Sequence, residues 1–278
     1  MMLAVISEFA PAKVNLALHV TGRRADCYHL LDSLVVFADI GDLVRVEAAD
    51  HRSLTIDGPF ADGLAADASN LVLRAASAFG AERGAKINLT KNLPVASGIG
   101  GGSADAAAAL RALSRLWDRP MPDPVALGAD VPVCVSLRAT RMRGIGDVLE
   151  PVQTLPSMFV VLANPGVAVS TADVFRELSH AGGEEIPAIP VGADATTFAR
   201  WLKGCRNDLE VPACAICPAI APLIAHIATQ EGCLLARMSG SGATCFGLFA
   251  TLSGAEQAAR ALKILRPDYW IKAVPILP

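Results

Sequence analysis

Apolar and polar positions change period several times along this chain, and each change predicts an element. Residues 5–9, 14–20, 33–37 and 43–48 alternate with the period of strands. Residues 69–79 carry apolar side chains at helical spacing, with Ser69 as the predicted cap and Gly80 as the stop. A short strand at 86–89 leads into a glycine-rich segment. Ala106, Leu110, Leu113 and Trp117 then recur at helical spacing, and Pro120, Pro122 and Pro124 forbid continuation. In the second half, strands are predicted at 159–164, 234–238, 244–249 and 270–274. Helices are predicted at 171–178 and 254–265, and a loop at 182–194. Strands and helices mixed in both halves predict an α+β fold rather than a doubly wound sheet.

Residues 211–228 contain no Asp, Glu, Lys or Arg and are long enough to suggest a membrane span. Pro212, Pro218 and Pro222 interrupt the run, and alanine dominates it, so a buried, proline-entered helix is predicted instead. Residues 1–12 show neither a basic head nor a long apolar core, so no secretory leader is expected.

Composition narrows the function classes. The 278 residues are 53% hydrophobic and 18% charged, which suits one or two globular domains with a sizeable core. The net charge of −3 supplies no basic face for nucleic acid. An anion site in such a chain must rely on backbone donors and a few cations. The seven cysteines are odd in number and irregular in spacing, and Cys214 and Cys217 form a lone CxxC. No second pair completes a zinc site, so reduced thiols in a cytoplasmic protein are expected.

The segment Pro94-Val95-Ala96-Ser97-Gly98-Ile99-Gly100-Gly101-Gly102-Ser103-Ala104 carries the most chemistry. Four glycines fall in five positions, and Ser103 is predicted to cap the helix that follows. Glycines let backbone curl around an anion, and a helix N-terminus adds partial positive charge. ATP phosphates are the ligand this pattern suggests. No Lys follows Gly102, as a P-loop requires, and Ser103 stands where a dinucleotide fingerprint needs glycine.

Residues 94–104 resemble the central motif of the GHMP kinases. Ala10-Pro11-Ala12-Lys13-Val14-Asn15-Leu16 resembles the first motif of that family, and Met238-Ser239-Gly240-Ser241-Gly242-Ala243-Thr244-Cys245-Phe246 the third, in the expected order. The resemblance spans nearly the whole chain. It narrows, through residues 12–29, 127–132, 170–175 and 207–210, to the branch that acts on 4-diphosphocytidyl-2-C-methyl-D-erythritol. It implies ATP-dependent phosphorylation of the 2-hydroxyl of that small molecule, in the methylerythritol phosphate route to isoprenoid precursors. The alternative is another small-molecule alcohol kinase of the same superfamily, which would lack the Tyr28-His29 pair. An RNA-binding module would need the basic face that is missing.

The resemblance also implies a two-domain GHMP kinase fold. Its N-terminal half (1–153) is expected to be ribosomal protein S5 domain 2-like, and its C-terminal half (154–278) ferredoxin-like. Asp130 is the expected general base and Lys13 its cationic partner, each interrupting an apolar stretch. Asn70 and Lys91, with Pro94 through Ala104, are expected on the ATP side. Asn15, Tyr28, His29, Thr171, Phe175, Ser239 and Gly240 are expected to bind the substrate, with aromatic stacking on the cytosine. Magnesium is expected to arrive with ATP, and no protein ligand is assigned to it. No nucleic-acid or membrane partner is implied, and monomer or weak dimer stays open. Two departures stand out. Cys27 replaces a family glycine, and residues 118–127 form a shortened connection.

Overall fold

The structure, a computed structural model, describes residues 5–26, 28–80, 83–179 and 182–278. Cys27 therefore lies outside the described residues. The elements in chain order are β1 (Ile6–Arg23), β2 (His29–Ala49), β3 (Ser53–Asp57), α1 (Leu71–Ser77), β4 (Gly84–Thr90), α2 (Gly101–Trp117) and α3 (Val131–Ser136). They continue with β5 (Thr140–Gly144), β6 (Val148–Pro151), β7 (Phe159–Asn164), α4 (Thr171–Arg176), α5 (Ala195–Lys203), α6 (Glu210–Ile216) and α7 (Ile220–Ala228). The last four are β8 (Leu235–Met238), β9 (Cys245–Phe249), α8 (Leu252–Leu265) and β10 (Trp270–Pro275).

The chain forms two compact units that are not consecutive stretches. One holds the chain to Ala12, Ile40–Val95 and Gly100–Leu137; the other holds Lys13–Asp39, Ala96–Ile99 and Arg138–Pro278. In the first unit, β4 pairs antiparallel with residues 43–49 of β2 and parallel with β3. α1 packs on α2, whose buried face is Ala104 and Ala106–Leu110 with Ala112, Leu113 and Trp117. Small side chains there let neighbouring backbones come close. Phe79 meets Trp117 edge-on at 5.2 Å between ring centroids.

In the second unit, residues 31–35 of β2 pair antiparallel with β5, and β5 with β6. A separate antiparallel sheet runs in the order β10-β7-β9-β8. α7 and α8 pack on it, and Val161, Ala163, Leu223, Ile227, Met238, Phe249, Ala255 and Leu262 share its core. Arg237 is buried there and donates to three carbonyls, those of Leu16, Leu202 and Cys205. Asp32, also buried, accepts both arms of the Arg141 guanidinium and the Ile186 N–H.

Several sequence expectations change. The strands expected at 5–9 and 14–20 are one strand, and so are those at 33–37 and 43–48, because the intervening residues 10–13 and 38–42 stay extended. The helix expected over 211–228 is two helices, broken where Pro218 follows Cys217. Among the described residues, no helix is long and apolar enough to cross a membrane. Asn70, not Ser69, caps α1, because its side chain accepts from the Val72 N–H while Ser69 bonds Asp67. β3, α3, β5, β6 and α5 were not expected; all but α5 span only four to six residues, too short for a clear period. The shortened connection folds as an open segment followed by a 3-10 turn at Pro124–Leu127, which Asp123 caps through the Val125 N–H.

His19 shows how tightly the second unit is wired. It is buried, its Nε2 accepts from the Arg206 N–H, and its Nδ1 therefore donates to the Glu184 carbonyl. Those two bonds select one neutral tautomer. Burial holds its pKa below the usual histidine value. A histidine with a depressed folded pKa contributes stability that is complete above the unfolded value of about 6.5 and is lost as pH falls toward the folded one. Denaturant midpoints should therefore fall as pH drops below about 6.5, and His19→Gln should flatten that slope. Some slope should remain, because the His29 pKa is lowered in the same direction by burial and by Arg23.

Candidate functional site

The glycine-rich segment is divided between the units, with Ala96–Ile99 in the second and the residues from Gly100 in the first. In the first unit, Gly100 takes a left-handed φ of 65° and α2 begins at Gly101. The Gly100 carbonyl already accepts from the Ala104 N–H at 2.9 Å. Ser103 therefore sits inside the first turn and is not the cap; this corrects the sequence expectation. The first N–H groups of a helix have no intrahelical partner, and α2 runs for 17 residues behind them. Gly102 is exposed, and a Cβ built on it would meet nothing closer than Leu71 at 3.6 Å. Backbone donors and open space together suit a phosphate group.

Lys91, expected to approach phosphates, is buried beneath this turn. Its ammonium contacts Asp42 and donates to Asp105 Oδ2 at 2.7 Å. Asp42 Oδ1 also accepts from the N–H groups of Asn92 and Leu93. Burial alone would depress the Lys91 pKa, but the two carboxylates outweigh it and hold it above the usual value. Burial pushes the Asp105 carboxyl up. Oδ1 of Asp105 has no hydrogen-bond partner among the described residues. Lys91 thus ties the end of β4 to β2 and to α2 at Asp105. A sequence cannot show that two aspartates 49 and 14 residues away converge on it. Asn70 is similarly occupied, since its Oδ1 caps α1 and its Nδ2 donates to the Ala65 carbonyl. Asp130, half-buried, stands at the N-terminus of α3, with Pro132 fixing the first turn.

In the second unit, residues 96–99 are pinned from three directions. Their carbonyls accept from the N–H groups of Val169, Thr244 and Lys13, at Ala96, Ser97 and Ile99 respectively. Gly98 has φ +75°, and a Cβ there would lie 2.5 Å from the Ser239 carbonyl oxygen. Gly240 approaches equally closely, with Gly98 O 2.7 Å from where its Cβ would be. Ser239 Oγ donates to the Gly98 carbonyl at 3.0 Å and accepts the Asn15 N–H at 3.1 Å. The first motif, part of the second and the third therefore meet through one serine hydroxyl. Asn207, which sequence reasoning did not assign to the site, donates to the carbonyls of Met238 and Gly240 and holds the third motif from behind.

Lys13 is buried on β1, and its ammonium donates to Asn15 Oδ1 at 3.2 Å. Thr171 Oγ1 lies 2.8 Å from Ser241 Oγ. His29 and Phe175 stack on each other with centroids 5.1 Å apart, while Tyr28 is exposed. Two of the residues expected to bind a base, His29 and Phe175, thus meet each other, while Tyr28, expected to stack on the opposite face of the base from Phe175, faces outward.

Comparison with known proteins gives a consistent result. The model of the GHMP kinases N terminal domain matches residues 70–149, and that of the GHMP kinases C terminal domain matches 187–267. A 4-diphosphocytidyl-2-C-methyl-D-erythritol kinase of Cereibacter sphaeroides is 56% identical over 269 residues, covering 95% of this chain and 96% of that protein. One of Jannaschia sp. is 50% identical over 278 residues, covering 100% of this chain and 99% of that protein. A crystal structure of 4-(cytidine 5'-diphospho)-2C-methyl-D-erythritol kinase superposes with a TM-score of 0.79 at 33% identity, covering 98% of this chain and 100% of that one.

The loop geometry makes two stability predictions. Gly98→Ala should cost more than about 2 kcal/mol, from its left-handed φ and the backbone it would strike. Gly102→Ala should be neutral or stabilising by up to about 1 kcal/mol, because alanine is the better helix former and the space is open. Lys91→Met should cost about 3–5 kcal/mol by leaving two buried carboxylates without their cation. Urea unfolding of the three variants checks all of these.

Proposed function

The chain belongs to the GHMP kinases, and within that family we propose that it transfers the γ-phosphate of ATP to the 2-hydroxyl of 4-diphosphocytidyl-2-C-methyl-D-erythritol. The observation that carries this reading is 56% identity over 95% of the chain to a kinase named for that substrate. The local geometry supports it. The open turn at Gly100–Ser103 offers backbone N–H groups at the head of a 17-residue helix, which suits the phosphates of ATP. Phosphoryl transfer asks mainly for positioning and charge stabilisation.

Asp130 is proposed as the group that receives the proton of the attacking hydroxyl, and Lys13 as the cation that steadies the developing alkoxide. Support for Lys13 is its burial on β1, where a lysine is costly unless its ammonium is used. Asn15, Ser239 and Gly240 are proposed to shape the acceptor side. Tyr28, His29, Phe175 and Thr171 are proposed to hold the cytidine moiety by stacking and hydrogen bonds. Magnesium would come with ATP; Asp105, near the start of α2, is already committed to Lys91, and no protein ligand is proposed. The division at 153–154 is proposed as the domain boundary, since the two family models fall on either side of it. Cytoplasmic action on a small molecule completes the reading.

Purified protein with ATP, magnesium and 4-diphosphocytidyl-2-C-methyl-D-erythritol should form the 2-phosphorylated product. Asp130→Asn should lower kcat by ~10²-fold or more while the variant stays folded. Gly102→Ala should raise the KM for ATP without loss of stability. No product from the folded, ATP-binding parent chain would overturn the substrate assignment and turn attention to other alcohols.

A further inference from the structure

A polar chain in the second unit runs from a backbone carbonyl to Lys13. Ser33 lies on β2 at the head of the apolar run Leu34–Ala38 and is fully buried. Its Oγ donates to the Ala17 carbonyl at 2.7 Å. A hydroxyl has one hydrogen, so with that hydrogen committed Ser33 Oγ can only accept. It accepts from Asn15 Nδ2 at 2.7 Å. The amide end of Asn15 is thereby held toward Ser33, and Oδ1 must face the other way, where the Lys13 ammonium meets it at 3.2 Å.

The alternative orientation is excluded by the same bookkeeping. Turned by half a rotation, the Asn15 amide would set its NH₂ against an ammonium, donor to donor. Its carbonyl would face a hydroxyl oxygen with no hydrogen to give. The Asn15 backbone cannot relax to compensate, because its N–H is committed to Ser239 Oγ.

We propose that Ser33 is a positioning residue for phosphoryl transfer, fixing the Asn15 amide so that its oxygen aims the Lys13 ammonium. This rests on the reading of Lys13 as the cation of the reaction. Ser33 touches neither nucleotide nor acceptor in this account; it acts through Asn15. A purely structural serine would fill space and satisfy the Ala17 carbonyl, and its loss would be felt in stability alone.

The experiment compares steady-state kinetics of Ser33→Ala, Ser33→Cys and Lys13→Met with the parent enzyme, alongside thermal unfolding. Ser33→Ala should lower kcat about tenfold or more, in line with the cost of small misplacements of a reacting group. The KM for ATP should stay within about twofold, since the backbone of 100–103 is untouched. Ser33→Cys fills the same space with a weak donor and acceptor, and should show the same loss if Ser33→Ala does not fold. In an Asn15→Asp background, either rotation presents an oxygen to Lys13, so Ser33→Ala should cost less than about threefold. Parent-like kcat in the folded Ser33 variants, or an equal loss in both backgrounds, would overturn the proposal. Lys13→Met separates the two readings. Full activity in that variant removes the role of Lys13 and the proposal with it; an inactive Lys13→Met beside parent-like Ser33 variants overturns the positioning role alone.

Discussion

A polar group buried away from water must find a partner, and β1 carries three such side chains within seven residues: Lys13, Asn15 and His19. Much of the second unit is arranged to answer them. Ser33 and Ser239 meet Asn15, the Arg206 N–H and the Glu184 carbonyl meet His19, and Asn15 itself meets Lys13. A strand with this burden would be a poor core strand in isolation. It is stable only because β2, the third motif and the segments at 184 and 206 bring matching donors and acceptors. The groups proposed for the reaction and the groups the fold must satisfy are thus the same set.

The first unit solves a related problem with charge. Lys91 draws together Asp42 and Asp105, and Asp42 in turn fixes the two N–H groups at the entry to the glycine-rich segment. The lysine expected on the ATP side is buried and bonded to both aspartates. The proposed reliance of phosphate binding on backbone donors suits a chain of net charge −3. Backbone donors need no rotamer to be frozen when a nucleotide arrives, so the turn is built before the ligand.

The glycines of the second and third motifs divide by purpose. Gly98 and Gly240 are required because two backbones pass within the space a methyl would fill. Gly102 has no such neighbour, and packing gives no account of it. Its absence of side chain matters only toward the open side. Only the folded structure separates the two kinds, since in the sequence they are the same letter in the same motif.

The sequence by itself determined the family, because three short motifs stand in order with specific residue types, among them the glycines of 98–102 and the lysine at 13. It also determined most strands and helices of the second half, whose apolar periods are clean, as at 159–164 and 254–265. It could not give the continuity of β1 and β2, since a buried polar residue reads as an interruption until its partner is seen. It misplaced the start of α2, because a left-handed Gly100 begins the helix before the serine that looks like a cap. The partners of Lys91 and the part played by Ser33 and Asn207 were decided by tertiary structure alone. Hydrogen bonds and ion pairs between residues far apart in the chain leave no periodic trace, and only the folded backbone brings them within reach.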